Sequence, residues 1–189
     1  MPGKVCVGVG VLVVDGFTGR VLLGRRKGSH GSGTWALPGG WLELNETFTA
    51  CALRELEEET GLSSSDVVVD EAKAVLPVVA NNVMDAGAVH SVTVFVRVDL
   101  ASLDSLDKVC VMEPNKCHEW RWCHPTADPQ PQPTFPPLAH LMASDYWRDH
   151  VMAAGRGGKP TSAATLAAAV SFGVLVVGGL LARRPRASP

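Results

Sequence analysis

The stretch Gly40–Leu62, GWLELNETFTACALRELEEETGL, constrains this chain more than any other. Between Glu46 and Thr60 there is no Gly or Pro, and Ala, Leu, Arg and Glu dominate, which is helix composition. Gly61 supplies the stop, because a residue without a Cβ closes a helix in the left-handed region at little cost. At about 100° per residue, Glu55 and Glu59 lie on one line and Glu58 lies about 60–100° to the side. Ala52, Leu53 and Leu56 fill the neighbouring arc and should face a core, while Glu57 points away. Such a helix has an apolar stripe with an acidic edge beside it. Crowded carboxylates repel at neutral pH unless a cation joins them, and oxygen donors at this density suit Mg²⁺ or Mn²⁺. Arg54 can neutralise part of the charge and hold a carboxylate in place. Taken alone, Glu57-Glu58-Glu59 could equally be a solvated acidic face.

The spacing favours the metal reading. The stretch resembles the Nudix box, G-x5-E-x7-R-E-U-x-E-E-x-G-U, where U is a bulky aliphatic residue. Gly40, Glu46, Arg54, Glu55, Leu56, Glu58, Glu59, Gly61 and Leu62 fill every fixed position. Two flanking segments are similar to the MutT-like branch, which hydrolyses nucleoside triphosphates. They are Leu22–Gly28 before the box, and Glu113-Pro114-Asn115-Lys116 leading to Trp120-Arg121-Trp122 after it. The likeness covers roughly residues 4–147.

The resemblance implies an α/β Nudix fold, a mixed β-sheet sandwiched between α-helices, with the box as loop, helix and loop. It implies Mg²⁺-dependent hydrolysis (Mn²⁺ possible) of a nucleoside triphosphate, oxidised purine nucleotides included, to monophosphate and diphosphate. Glu55, Glu58 and Glu59 are then metal ligands, joined by the Gly39 carbonyl and by Glu113, and one glutamate helps deprotonate the attacking water. Glu119 is a second candidate for the outer acid, but only Glu113 matches the branch pattern. Arg54 orients the acids, and Arg26, in the run Arg25-Arg26-Lys27, meets substrate phosphate. Gly40 and Trp41 adjoin the substrate. Similar proteins usually have His where this chain has Trp41, a change that bears on how a base or lipid tail is received. Plant relatives in this branch include geranyl diphosphate hydrolases, so a prenyl diphosphate is the alternative substrate. A non-catalytic nucleotide-binding module is the alternative outside enzymes, and a homodimer is compatible with the branch.

The chain's 189 residues suffice for one globular domain with a sizeable core. A net charge of -2 does not suggest a nucleic-acid binder. Cys6, Cys51, Cys110, Cys117 and Cys123 form an odd, scattered set, which fits a reducing compartment. No N-terminal signal peptide is visible, and the zinc reading of Cys117-His118 and Cys123-His124 matches no common finger. Val5–Val14 reads as a buried strand, Asp15–Gly19 as a turn and Arg20–Arg25 as the hairpin partner. Strand material follows over Ala72–Val83, interrupted by Pro77, and over His90–Leu100, where Ser91, Thr93 and Arg97 suggest a partly polar face. His90 is a candidate substrate contact or a strand-edge residue. A last helix is expected over Leu138–Met152.

The domain organisation expected is a hydrolase domain at 1–153, a linker at 154–160, an apolar segment at 161–182 and a basic tail at 183–189. Thr161–Ala182 holds 22 residues without a charge, long enough to cross a bilayer as a helix. Its position suggests a membrane tail anchor that leaves the catalytic domain in the cytosol. If the segment does not insert, the protein is expected to be cytoplasmic.

Overall fold

The structure, a computed structural model, describes residues 4–28, 30–84, 89–127 and 129–153. In chain order the strands are β1 (Val5–Asp15), β2 (Arg20–Arg26), β3 (Trp35–Ala36) and β4 (Gly39–Trp41). After helix α1 (Phe48–Thr60) come β5 (Val67–Val68), β6 (Val75–Met84), β7 (Val89–Leu100) and β8 (Cys117–Cys123). Helix α2 (Pro136–Met142) and a short helical segment, Trp147–Met152, close the described chain.

β1 is the spine of a mixed sheet. It runs parallel to β7 from the pair Val5↔His90 to Val14↔Asp99. Its other edge is shared: β4 pairs antiparallel with Gly8, Val9 and Gly10, and β2 pairs antiparallel with Val14 and Asp15. β3 and β8 extend the sheet from β2, and β5 and β6 pair with β7. The hairpin turn is held by Asp15, whose buried carboxylate accepts from the Phe17 and Thr18 amides and from the Thr18 hydroxyl, and pairs with Arg20.

Alternation along β1 and β7 divides the core in two. Val9, Val11 and Val13 with Val96 and Val98 face α1, which contributes Cys51, Ala52 and Leu56. Leu12, Val14 and Phe95 face the other way, towards α2 and Trp147. Complete burial of Leu56 contributes about 2 kcal/mol. The helix begins at Phe48 because Thr47 caps it, its hydroxyl accepting from the Ala50 amide at 3.1 Å. Gly61 ends it in the left-handed region (φ 77°), as the sequence predicts.

Two elements differ from the sequence reading. β6 runs through Pro77, and its register with β7 slips between Val75 and Val79, where a residue lacking an N–H is tolerated. The expected helix over Leu138–Met152 is split. The Ser144 hydroxyl donates to the Leu141 carbonyl and accepts from the Trp147 amide, ending one helical piece and capping the next. The linker 154–160, the apolar segment 161–182 and the basic tail 183–189 lie outside the described residues. The anchoring helix expected there is therefore outside them too; among the described residues no helix is long and apolar enough to cross a membrane.

Candidate active site

A cavity of about 440 Å³ opens on the α2 side of the sheet, near the start of β1. Gly8 and Gly10 pair with Thr93 and Phe95, so this part of its lining is bare β1 backbone beside β7 side chains. Ser91 and Thr93, on the polar face expected of β7, line the cavity, as do Leu37 and Leu138. His90 points to the opposite face, where its Nε2 lies 2.8 Å from the Asn81 amide oxygen, so it is not part of the cavity. Trp41 is half-exposed and lines the cavity.

β4 and α1 carry the acids to this cavity. β4 presses Gly39 and Gly40 against β1, and the α1 edge lies over them. Gly39 has φ 144°, and a Cβ there would strike the Val9 carbonyl. A Cβ on Gly40 would overlap the Glu55 carboxylate. The glycine pair thus lets two carboxylates rest directly on backbone. Glu59 Oε2 accepts from the Gly39 amide at 3.0 Å, and Glu55 occupies the space above Gly40.

Arg54 organises the acids. Its Nε and Nη2 donate to the two Glu46 oxygens at 2.9 and 3.0 Å, a bidentate pair. Nη1 donates to Glu55 at 2.7 Å and approaches Glu58 at 3.4 Å, while Nη2 also reaches the Trp41 carbonyl at 3.2 Å. Hydrogen bonding to Arg54 holds the Glu46 carboxyl down to about 2. Glu46 and Glu55 in turn raise the Arg54 pKa above the ordinary arginine range.

Glu59 is the perturbed acid. Burial pushes its carboxyl up to about 7 against the Gly39 amide bond, and the charges of Glu55 and Glu113 add to the rise while Arg26 opposes it. Glu58 is exposed at the helix surface and is not among the residues lining the cavity. Glu113 pairs with Lys116 at 2.8 Å, and it reaches the acids through its field on Glu59. Glu119 instead pairs with Arg121 at 2.9 Å.

Cations line the same cavity. Arg26, at the end of β2, stacks 4.4 Å from the Phe135 ring centroid and donates through Nε to the His30 carbonyl at 3.0 Å. Burial lowers its pKa, and the charge of Glu59 works against that fall. Lys27, whose Nζ donates to the Pro114 carbonyl at 3.0 Å, and Lys116 also line it.

The residues present fit a hard divalent cation in chemistry. The donors are all oxygen, the Gly40 cradle holds Glu55 where a Cβ would be, and burial beside Glu55 and Glu113 penalises the Glu59 carboxylate, a penalty that a cation would offset. Among the described residues, however, no three acids converge closely enough to ligate one ion. Arg54 Nη1 bridges Glu55 and Glu58, and Glu59 is drawn to the Gly39 amide. Gly39 takes part here through its N–H, whereas the sequence reading assigned its carbonyl.

Four contributors went unassigned in the sequence. Glu46 was placed only as a position of the box, yet it is the main partner of Arg54; the box spacing was its signal. Lys116 was legible only as part of Glu-Pro-Asn-Lys. Phe135 and Leu138 lie in and after a Pro-rich stretch with no local sign of a cavity.

The profile of the NUDIX domain family matches residues 4–143. An RNA pyrophosphohydrolase of Novosphingobium aromaticivorans is 28% identical over 155 residues, covering 79% of this chain and 94% of that protein. An oxidized purine nucleoside triphosphate hydrolase of Danio rerio is 49% identical over 53 residues, 28% of this chain and 33% of that protein. Several other curated relatives are likewise matched over about a third of their length. Among solved structures, a MutT NUDIX hydrolase from Burkholderia pseudomallei aligns with a TM-score of 0.57 at 26% identity, over 75% of this chain and 99% of that one.

Proposed function

This chain belongs to the NUDIX family of hydrolases, and from that membership we propose that it hydrolyses a nucleoside triphosphate to monophosphate and diphosphate. The observation that carries the reading is one cavity lined by Glu55 and Glu59, by Arg26, Lys27 and Lys116, and by Gly8, Gly10 and Phe95. Acids, phosphate-binding cations and room for a flat ring are what a nucleotide phosphate chain requires. Relatives named RNA pyrophosphohydrolase and oxidized purine nucleoside triphosphate hydrolase support the nucleotide class.

In this reading water adds to a phosphorus, the bridging P–O bond breaks, and its electron pair leaves with the departing phosphate group. The proton lost by the water passes to one of Glu55, Glu58 and Glu59. When bound, Mg²⁺ or Mn²⁺ would offset phosphate charge and polarise the water; Glu55 and Glu59 at the cavity would hold it, and Glu58 and Glu113 would have to turn from Arg54 and Lys116 to join them. Arg54 fixes Glu55 on its Glu46 anchor, so the acid keeps its place as charge changes. Arg26 and Lys116 neutralise phosphate oxygens, and Trp41 borders the substrate at the cavity wall.

A second reading, a prenyl diphosphate substrate, draws on the half-exposed Trp41 and on the apolar lining of Leu37, Phe95 and Leu138. One assay separates the readings. The full chain is incubated, with and without Mg²⁺, with canonical and oxidised purine triphosphates, triphosphorylated RNA, ADP-ribose and geranyl diphosphate. Mg²⁺-dependent diphosphate release from a nucleoside triphosphate is expected. A tenfold preference for the prenyl substrate would overturn the first reading, and tight nucleotide binding without turnover would establish a non-catalytic module.

A further inference from the structure

Arg26 ends β2 with its guanidinium committed on one side only. Its Nε donates to the His30 carbonyl, and among the described residues its two terminal nitrogens have no hydrogen-bond partner. A long side chain at a cavity wall loses several rotatable bonds when it is fixed, so an arginine with one hydrogen bond would ordinarily sweep a wide arc. Here the second restraint is an aromatic ring. The Arg26 Cζ lies 4.4 Å from the Phe135 centroid, within the range of a cation–π contact.

The backbone that carries the ring is itself held. Phe135 donates its amide to the Trp35 carbonyl at 2.8 Å, Trp35 donates to Pro133 at 2.8 Å, and the Phe135 carbonyl accepts from Ala139 at 3.0 Å in the first turn of α2. The segment before α2 is therefore tied to β3 on one side and to a helix on the other. The loop that follows β2 also leans on the ring. A Cβ on Gly31 (φ 67°) would lie 2.6–2.7 Å from Phe135 Cδ2 and Cε2, so glycine backbone packs against it there. Phe135 thus connects β3, α2, Gly31 after β2 and Arg26 at one edge of the cavity.

We infer that Phe135 is a positioning residue for phosphate recognition: its ring fixes the Arg26 guanidinium so that the two terminal nitrogens stay available to a polyphosphate. The inference rests on the proposed phosphate role of Arg26. Burial of Arg26 strengthens the contact, because a cation removed from water is attracted more strongly by a ring face. A ring that served only as an apolar wall would tolerate leucine, and a ring that served only to stack a base would be silent towards a ligand without one.

The experiment uses the full chain and two readouts: the Kd for inorganic tripolyphosphate by calorimetry in Mg²⁺, and kcat and KM for the best nucleoside triphosphate. Phe135→Leu is expected to raise the tripolyphosphate Kd and the KM about fivefold with kcat within about twofold. Phe135→Tyr, which keeps the ring face, restores both. In an Arg26→Gln background, Phe135→Leu adds nothing further. Progressively fluorinated phenylalanine at position 135 keeps the shape while weakening the ring face, and the Kd should climb stepwise; this arm reads the contact if the leucine variant fails to fold. An unchanged tripolyphosphate Kd across the fluorinated series, or full additivity with Arg26→Gln, overturns the inference. Wild-type protein that binds tripolyphosphate without turning over any nucleotide would sink the hydrolase reading alone, since the Kd series still reads the Arg26–Phe135 contact. Wild-type protein that binds no tripolyphosphate would overturn the inference as well.

Discussion

Glu46→Gln tests the anchor beneath the candidate active site. The substitution keeps the side-chain volume and removes the charge that Arg54 grips at 2.9 and 3.0 Å. Glu46 titrates at about 2 in the folded protein against an ordinary 4.5, mainly because Arg54 donates to it. At about 1.4 kcal/mol per tenfold change, that depression corresponds to a ceiling of about 3 kcal/mol at neutral pH. A quarter of the Arg54 side chain is in solvent, and glutamine retains one acceptor for it, so a loss of about 1–2 kcal/mol is the working figure. The depressed pKa sets the direction with pH. The stabilisation is fully present above about 4.5, where the carboxylate of the unfolded chain is also ionised. It fades as pH falls through the folded value near 2, because protonation removes the pair. Urea unfolding of both proteins from pH 7 to pH 3 measures it. The stability gap should be flat from pH 7 to pH 5.5 and lose more than half its size by pH 3. A gap that does not change with pH would refute the ionic argument and leave only shape, and no gap at any pH would remove Glu46 as the anchor of Arg54.

Glu58→Gln and Glu59→Gln should each lower turnover by orders of magnitude while the circular dichroism spectrum is kept; near-normal turnover in both would dismiss the acidic edge as the site. Gly40→Ala places a Cβ on the Glu55 carboxylate and should cut turnover at least tenfold, whereas Gly16→Ala, with no atom within 4 Å of its new Cβ, should leave turnover unchanged. Equal activity of these two variants would show that the cradle under Glu55 is irrelevant. A tail anchor at 161–182 predicts that the full chain floats with liposomes and that residues 1–153 do not; matching behaviour of the two would reject it.

The local parts of this protein were readable from the chain. The α1 composition, its Gly61 stop, the valine run of β1 and the box spacing each depend on neighbours a few residues apart, and local geometry carries that information. Even there the helix start moved to Phe48, because a capping threonine outweighs the helix propensity of Glu46. The continuation of β6 through Pro77 could not be read, since a strand tolerates proline only where its register with a partner slips, and the partner is remote in sequence. The break at Ser144 was equally hidden: its hydroxyl acts on two backbone groups, and composition over Leu138–Met152 favours an unbroken helix.

By itself, then, the sequence determined the family, and it pointed to Glu55, Glu58 and Glu59 as candidate acids and to the pair Gly39–Gly40, on which Glu59 and Glu55 rest. Tertiary structure alone decided which partners those groups take. Parallel pairing of β1 with β7 brings Gly8 and Gly10 beside Thr93 and Phe95 and so lines the cavity. Chain folding carries Phe135 to Arg26 at the rim, and it turns Glu59 to the Gly39 amide. The physical reason is that helix and strand periods are set by torsions within a few residues. Burial, close approach and charge balance are set by segments far apart in the chain, whose meeting only the packed core fixes.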